Sequence, residues 1–127
     1  MKNISIKKTD AVIEISGLKV KTVIGYNESE RNRFQNVKID ISYETDITQS
    51  SQTDQIEDAV DYKTLKKNVM KAVQLSRFNL LEKLAAFVLE TVLKHEGITD
   101  ATVKVSKPGA LRFADNVSVL LSGRSKA

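Results

Sequence analysis

The sequence predicts an α+β fold in which a four-stranded antiparallel sheet carries two helices on one face, in the order ββααββ. Three observations predict it. Apolar residues alternate with polar ones over two stretches near the N-terminus, recur every three to four residues over two central stretches, and alternate again near the C-terminus. Alternation leaves one face of each strand wet, the habit of an antiparallel sheet covered on one side only.

Residues 11–24 read as the first strand. Ala11, Ile13 and Ile15 share one face, with Glu14 and Ser16 opposite. After Gly17 the apolar phase moves by one residue, to Leu18, Val20 and Thr22, with Lys19 and Lys21 opposite. A bulge or kink at the glycine would produce that shift. Residues 25–32 are polar and turn-like. Val37, Ile39, Ile41 and Tyr43 mark a second strand, and residues 46–55 a polar loop. Leu65, Val69, Met70 and Val73 then form the stripe of a helix over residues 62–75, with Asp61 placed to cap it. A wider stripe, from Leu80, Leu81, Leu84 and Ala85 to Val88, Leu89, Val92 and Leu93, marks a second helix. Asn79 is its expected N-cap, Glu82 falls at the capping-box position, and Gly97 lies past its end. Val103 and Val105, then Val117, Val119 and Leu121, alternate as two last strands. With one proline and five glycines there is no linker composition, and there is no repeat, so residues 1–127 read as a single domain with its core over about 11–122. A four-stranded sheet has two edges, and pairing the sheets of several subunits into a ring would remove them.

Composition narrows the chemistry. The 127 residues are 41% hydrophobic and 28% charged, the balance of an ordinary globular domain. The absence of cysteine excludes disulfides, thiolate metal sites and cysteine nucleophiles. A single histidine, His95, excludes sites that need several imidazoles, so no metal and no cofactor is expected. A serine-histidine-aspartate triad would have to use His95, whose place near the end of the second helix suits a cation on the helix dipole. The net charge of +4, from 20 basic and 16 acidic residues, suits an anionic ligand such as a phosphate ester. The densest basic clusters, Lys7-Lys8 and Lys63/Lys66/Lys67, have no interleaved aromatics, so no nucleic-acid partner is expected. No apolar run approaches the roughly 18 residues of a membrane span. The first ten residues have no apolar core, so neither a membrane nor a signal peptide is expected, and the expected compartment is cytoplasmic.

Four places carry polar residues that packing does not explain: residues 25–35, Asp61-Tyr62, residues 79–82, and Ser106-Lys107-Pro108-Gly109. The segments IGYNESERNRFQ (24–35), DQIEDAVDY (54–62), RFNLLEKLA (77–85) and VSKPGALRFADNVSV (105–119) together resemble the dihydroneopterin aldolase family of the tunnelling fold. The resemblance covers residues 11–122, with all four segments in family order. The stretches SRFNLLEKL and ALRFADNVSVLLS are closer to the branch called dihydroneopterin triphosphate 2′-epimerase. Phe34 departs from the pattern, since aldolases often have glycine there.

The resemblance implies a homo-octamer of two stacked rings, the subunits' sheets joined into a barrel, with pterin pockets at subunit interfaces. It implies that Glu82 anchors the amino and ring N–H edge of the pterin, where a carboxylate accepts two parallel donors, with the amide of Leu81 or Glu82 serving the next ring acceptor. It implies Lys107 as catalytic acid/base, Glu30 near the reacting hydroxyls, Tyr62 reaching in from a neighbouring subunit, and Gln35 in the same network. Read without the resemblance, Glu82 is a capping-box glutamate, Lys107 a strand-end lysine, Glu30 a solvated turn charge and Tyr62 a core aromatic. The implied activity is retro-aldol chemistry on 7,8-dihydroneopterin or its triphosphate, first as the 2′-epimerase giving dihydromonapterin forms. The alternative is the aldolase of folate biosynthesis, giving 6-hydroxymethyl-dihydropterin and glycolaldehyde. A non-catalytic ring binding pterins or purines is the alternative of another class. The zinc-dependent pyruvoyl-tetrahydropterin synthase type is excluded, because it needs three histidine ligands.

Overall fold

β1 (Asp10–Ile24) and β2 (Phe34–Asp46) form a long antiparallel pair that sets the frame of the molecule. The structure is a computed structural model that describes residues 2–126. β4 (Asp100–Pro108) adds to the far side of β2, and β5 (Asn116–Arg124) pairs antiparallel with β4. α3 (Tyr62–Gln74) and α4 (Leu81–Leu93) cover one face, α3 over β1 and α4 over β4 and β5.

The shift of apolar phase in β1 is a bulge. Ile15 pairs with Ile41 but Leu18 pairs with Ile39, so two residues of β1 are passed over where β2 has one. Gly17 takes φ +70° there, and its amide donates to the Asp40 carboxylate at 2.7 Å. By absorbing the extra residue, the bulge keeps Ile13 and Ile15 before it, and Leu18 and Val20 after it, on the helix-covered face.

That face is the core. Ile39, Ile41, Val103 and Val105 from the sheet meet Leu65, Val69 and Val73 from α3 and Leu84, Val88 and Val92 from α4, all essentially inaccessible. Asp61 caps α3 as its position predicts, its carboxylate accepting the Lys63 amide at 2.9 Å. At the other end of α3 the buried Thr22 hydroxyl donates to the Val73 carbonyl at 2.6 Å, tying β1 to a helix terminus that lacks intrahelical partners. His95 lies just beyond α4. Its Nδ1 is 3.2 Å from the Thr91 carbonyl and its Nε2 3.0 Å from the Asn68 amide nitrogen, so its ring bridges the two helices.

The structure corrects the expected sheet. It has five strands in the order β3-β1-β2-β4-β5, and it is mixed rather than wholly antiparallel. The addition is β3 (Arg77–Phe78), two residues between the helices that run parallel to the end of β1, pairing Val23 with Arg77 and Ile24 with Phe78. Two residues are too few to show alternation, which is why the pattern misses them. Two of the polar stretches also contain single helical turns, α1 (Glu28–Arg31) and α2 (Ser50–Thr53).

Candidate active site

Everything at the site follows from how β1 ends. Beyond Ile24 the chain passes through Gly25 at φ +132°, and the Gly25 amide donates to the Phe78 carbonyl at 3.1 Å, extending the parallel pairing with β3. α1 then turns the chain back, and the Glu30 amide donates to the Asn27 carbonyl at 2.9 Å. The Glu30 side chain folds against Gly25 so closely that a Cβ there would collide with its carboxylate. Gly25 is therefore required twice, by its backbone angle and by its missing side chain.

Lys107 arrives from the end of β4, and its Nζ donates to Glu30 Oε2 at 2.5 Å. The two side chains are only 14% and 15% exposed, so this is a largely desolvated pair. The Lys107 hydrogen bond holds the Glu30 carboxyl below its ordinary value of 4.5 against the opposing effect of burial; the Lys107 charge, the Asn27 amide and the Gln35 amide assist. Gln35 sits behind the pair and donates through Nε2 to the Ile24 carbonyl at 2.6 Å. Past Lys107, Gly109 takes φ +70° and its amide donates to the Asp115 carbonyl at 3.1 Å, closing the base of the β4–β5 loop.

The start of α4 supplies the opposite wall. Its N-cap is Leu80, not Asn79, and no side chain caps it. The Asn79 side-chain oxygen Oδ1 instead accepts Arg31 Nη1 at 2.8 Å. Glu82 is consequently the second helical residue rather than the third, and the expected capping box does not form. Glu82 is exposed, with no hydrogen-bond or ion-pair partner among the described residues, at a helix terminus whose first amides have no intrahelical acceptor.

Glu30, Lys107, Leu81 and Glu82 line one cleft of about 270 Å³, together with Gly25, Tyr26, Asn27, Asn79, Leu80, Ala110 and Val117. Asn79, Tyr26 and Asn27 are lining residues that the sequence reading did not single out for that role, although all three fall inside its quoted segments. Tyr62 is not among them. It opens α3, 57% exposed, near the buried Tyr43, whose hydroxyl is pushed above its ordinary value by burial first and by the Asp61 carboxylate as well. The cleft thus joins a carboxylate and free helix amides on one wall to a lysine–glutamate ion pair on the other. That set suits a flat heterocycle with a donor edge and a hydroxylated side chain.

The dihydroneopterin aldolase (FolB) family model matches residues 13–122. The chain belongs to that family. It is 38% identical over 112 residues to the dihydroneopterin triphosphate 2′-epimerase of Escherichia coli strain K12, covering 88% of this chain and 93% of that one. It is 31% identical over 110 residues to the dihydroneopterin aldolase of the same strain, covering 87% and 90%. The crystal structure of E. coli dihydroneopterin aldolase in complex with neopterin superposes with a TM-score of 0.85 at 30% identity, over 89% of this chain and 98% of that one. The fold is the tunnelling fold of these enzymes, and no helix among the described residues is long and apolar enough to cross a membrane.

The depressed Glu30 pKa fixes the sign of a pH effect. A carboxyl that titrates lower in the folded chain contributes stability above 4.5 and loses it as the pH falls through the lowered folded value. The stability deficit of Glu30→Gln, which leaves Lys107 buried without its counter-charge, should therefore be full at neutral pH and shrink below pH 4.5. Denaturant midpoints of both proteins across that range measure it, and a deficit independent of pH would remove the pair's role.

Proposed function

We propose that the protein is a dihydroneopterin triphosphate 2′-epimerase that works by retro-aldol cleavage and re-addition. What carries the reading is that the Glu82 carboxylate, free of any capping role, faces the same cleft as the Glu30–Lys107 pair. Glu82 accepts the amino group and ring N–H of the pterin, and the Leu81 or Glu82 amide donates to the adjacent ring acceptor. The reduced ring carries its own electron sink, a C=N bond beside the side chain, so the protein need only move protons.

Glu30 stays ionised at neutral pH and accepts the side-chain hydroxyls. Loss of the C2′ hydroxyl proton makes that carbon an aldehyde and breaks C1′–C2′. The freed electron pair forms a C1′–C6 double bond, and the C=N pair takes a proton at N5, giving an enamine. Lys107 is the acid/base that carries these protons, each such positioned transfer contributing roughly 10² to 10⁴ in rate. If the aldehyde turns over and re-adds, C2′ is inverted and the epimer forms. If it leaves, protonation of the enamine at C1′ gives the hydroxymethyl product, the aldolase outcome that remains the second reading, supported by the similarity to E. coli dihydroneopterin aldolase.

Tyr62 belongs to this site in trans. Its ring is exposed away from its own cleft, while Tyr26 and Leu80 at the cleft are 71% and 51% exposed, as expected of walls that a second copy covers. We therefore propose a homo-octamer of two tetrameric rings acting in the cytoplasm, with Tyr62 of one subunit closing the cleft of the next.

Lys107→Ala should abolish epimerisation and cleavage together while pterin binding persists, because both outcomes pass through the same bond-breaking step. Chromatographic resolution of epimer, hydroxymethyl product and aldehyde measures this, and undiminished turnover would name another proton carrier. Glu82→Gln presents donors to a donor edge and should weaken pterin binding by about 1–3 kcal/mol. Titration calorimetry showing unchanged affinity in a folded protein would return Glu82 to the solvated surface. Sedimentation should show an octamer at micromolar concentration, and a stable monomer would remove the interface site.

A further inference from the structure

A second recess, of about 90 Å³, adjoins the cleft and shares Gly25 and Asn79 with it. Arg31, Asn32 and Arg77 complete its polar lining, and no acidic side chain borders it. Arg31 is held at the common wall by the Asn79 side chain, while Arg77 Nη1 donates to the Arg31 carbonyl at 3.4 Å. The ion pairs among the described residues are Lys107–Glu30 and Arg124–Asp100, so neither arginine is neutralised by a carboxylate. Two guanidinium-bearing residues that line one recess with no carboxylate give it a positive potential, which an anion entering the recess would neutralise.

We propose that Arg31 and Arg77 form a polyphosphate subsite that receives the phosphorylated end of the substrate side chain. The position fits that chemistry. Arg31 follows Glu30 directly, so a side chain whose hydroxyls meet Glu30 leads past the Gly25–Asn79 wall into the recess. Guanidinium groups bind phosphate oxygens in bidentate fashion and keep their charge at any physiological pH. Asn32 and Asn79 add neutral polar atoms at the same rim. The subsite deepens the reading of the cleft as a pterin site, and it selects the triphosphate over dihydroneopterin itself.

The test compares wild type with Arg31→Ala, Arg77→Ala and the double variant at fixed ionic strength. The ratio of kcat/KM for dihydroneopterin triphosphate to that for dihydroneopterin should fall about 10- to 100-fold in the double variant, the effect of losing charge-assisted contacts to phosphate. Each single variant should fall between the two, so a double variant that failed to fold would leave the singles to decide. An unchanged ratio, or equal losses with both substrates, overturns the proposal. Calorimetric titration with inorganic tripolyphosphate probes the subsite without a pterin. It should bind wild type and lose at least tenfold in affinity for the double variant, and equal affinity for the two proteins overturns the subsite. Should wild type turn over neither pterin, the epimerase reading falls, and the tripolyphosphate titration alone decides the arginines.

Discussion

The contact on which the site depends is the ion pair between Glu30 and Lys107. The two residues are 77 positions apart, one in a turn after β1 and the other at the end of β4, with the whole of β2 lying between those strands. They meet because β1 and β4, both antiparallel to β2, end at the same margin of the sheet, where the turn after β1 folds back toward Lys107. Each group is partly buried, and the pairing offsets the desolvation that either charge would meet alone. The sheet therefore does more than support the cleft. Its register determines whether two charges neutralise one another or stand isolated.

The start of α4 shows the complementary arrangement. Most helices satisfy their first amides with a serine, threonine, aspartate or asparagine side chain. Here the N-cap is Leu80, and the nearest candidate, Asn79, is engaged by Arg31 instead. The helix is left with unsatisfied donors and a free carboxylate at one end. That costs some intrinsic helix stability, which the buried stripe from Leu84 to Val92 offsets. A terminus left open in this way keeps its hydrogen-bonding capacity for a ligand.

These particulars also explain what the sequence discloses. β1, β2, β4, β5, α3 and α4 are legible because each is long enough for its buried face to repeat, and the Gly17 bulge is legible because it changes the phase of that repeat. β3 leaves no periodic trace. The expected cap at Asn79 failed because an apolar N-cap has no side-chain signature, and the third residue after it was then misplaced. No pattern rule pairs Glu30 with Lys107, since nothing local links them; their two polar stretches stand out singly, and only the resemblance of four separated segments to one family joins them in one site. Arg31 and Arg77 escaped for a related reason, as an arginine in a turn and another in a two-residue strand look like ordinary surface charges until the fold sets them side by side.

The bulge at Gly17 has a consequence for how such a chain can change over evolutionary time. Were the same residues forced into a regular strand, the part of β1 beyond Gly17 would be rotated by one position, and Lys19 and Lys21 would point beneath the helices where Val20 and Thr22 now lie. The same rotation would carry Ile24 and Gly25 to the wrong side and dismantle the turn that delivers Glu30. Loss of one residue between Ile15 and Leu18 would instead restore plain alternation with Leu18 and Val20 still under the helices. The strand can therefore shed its bulge by a single deletion at that point, whereas a one-residue change beyond Leu18 would put the end of β1 out of phase.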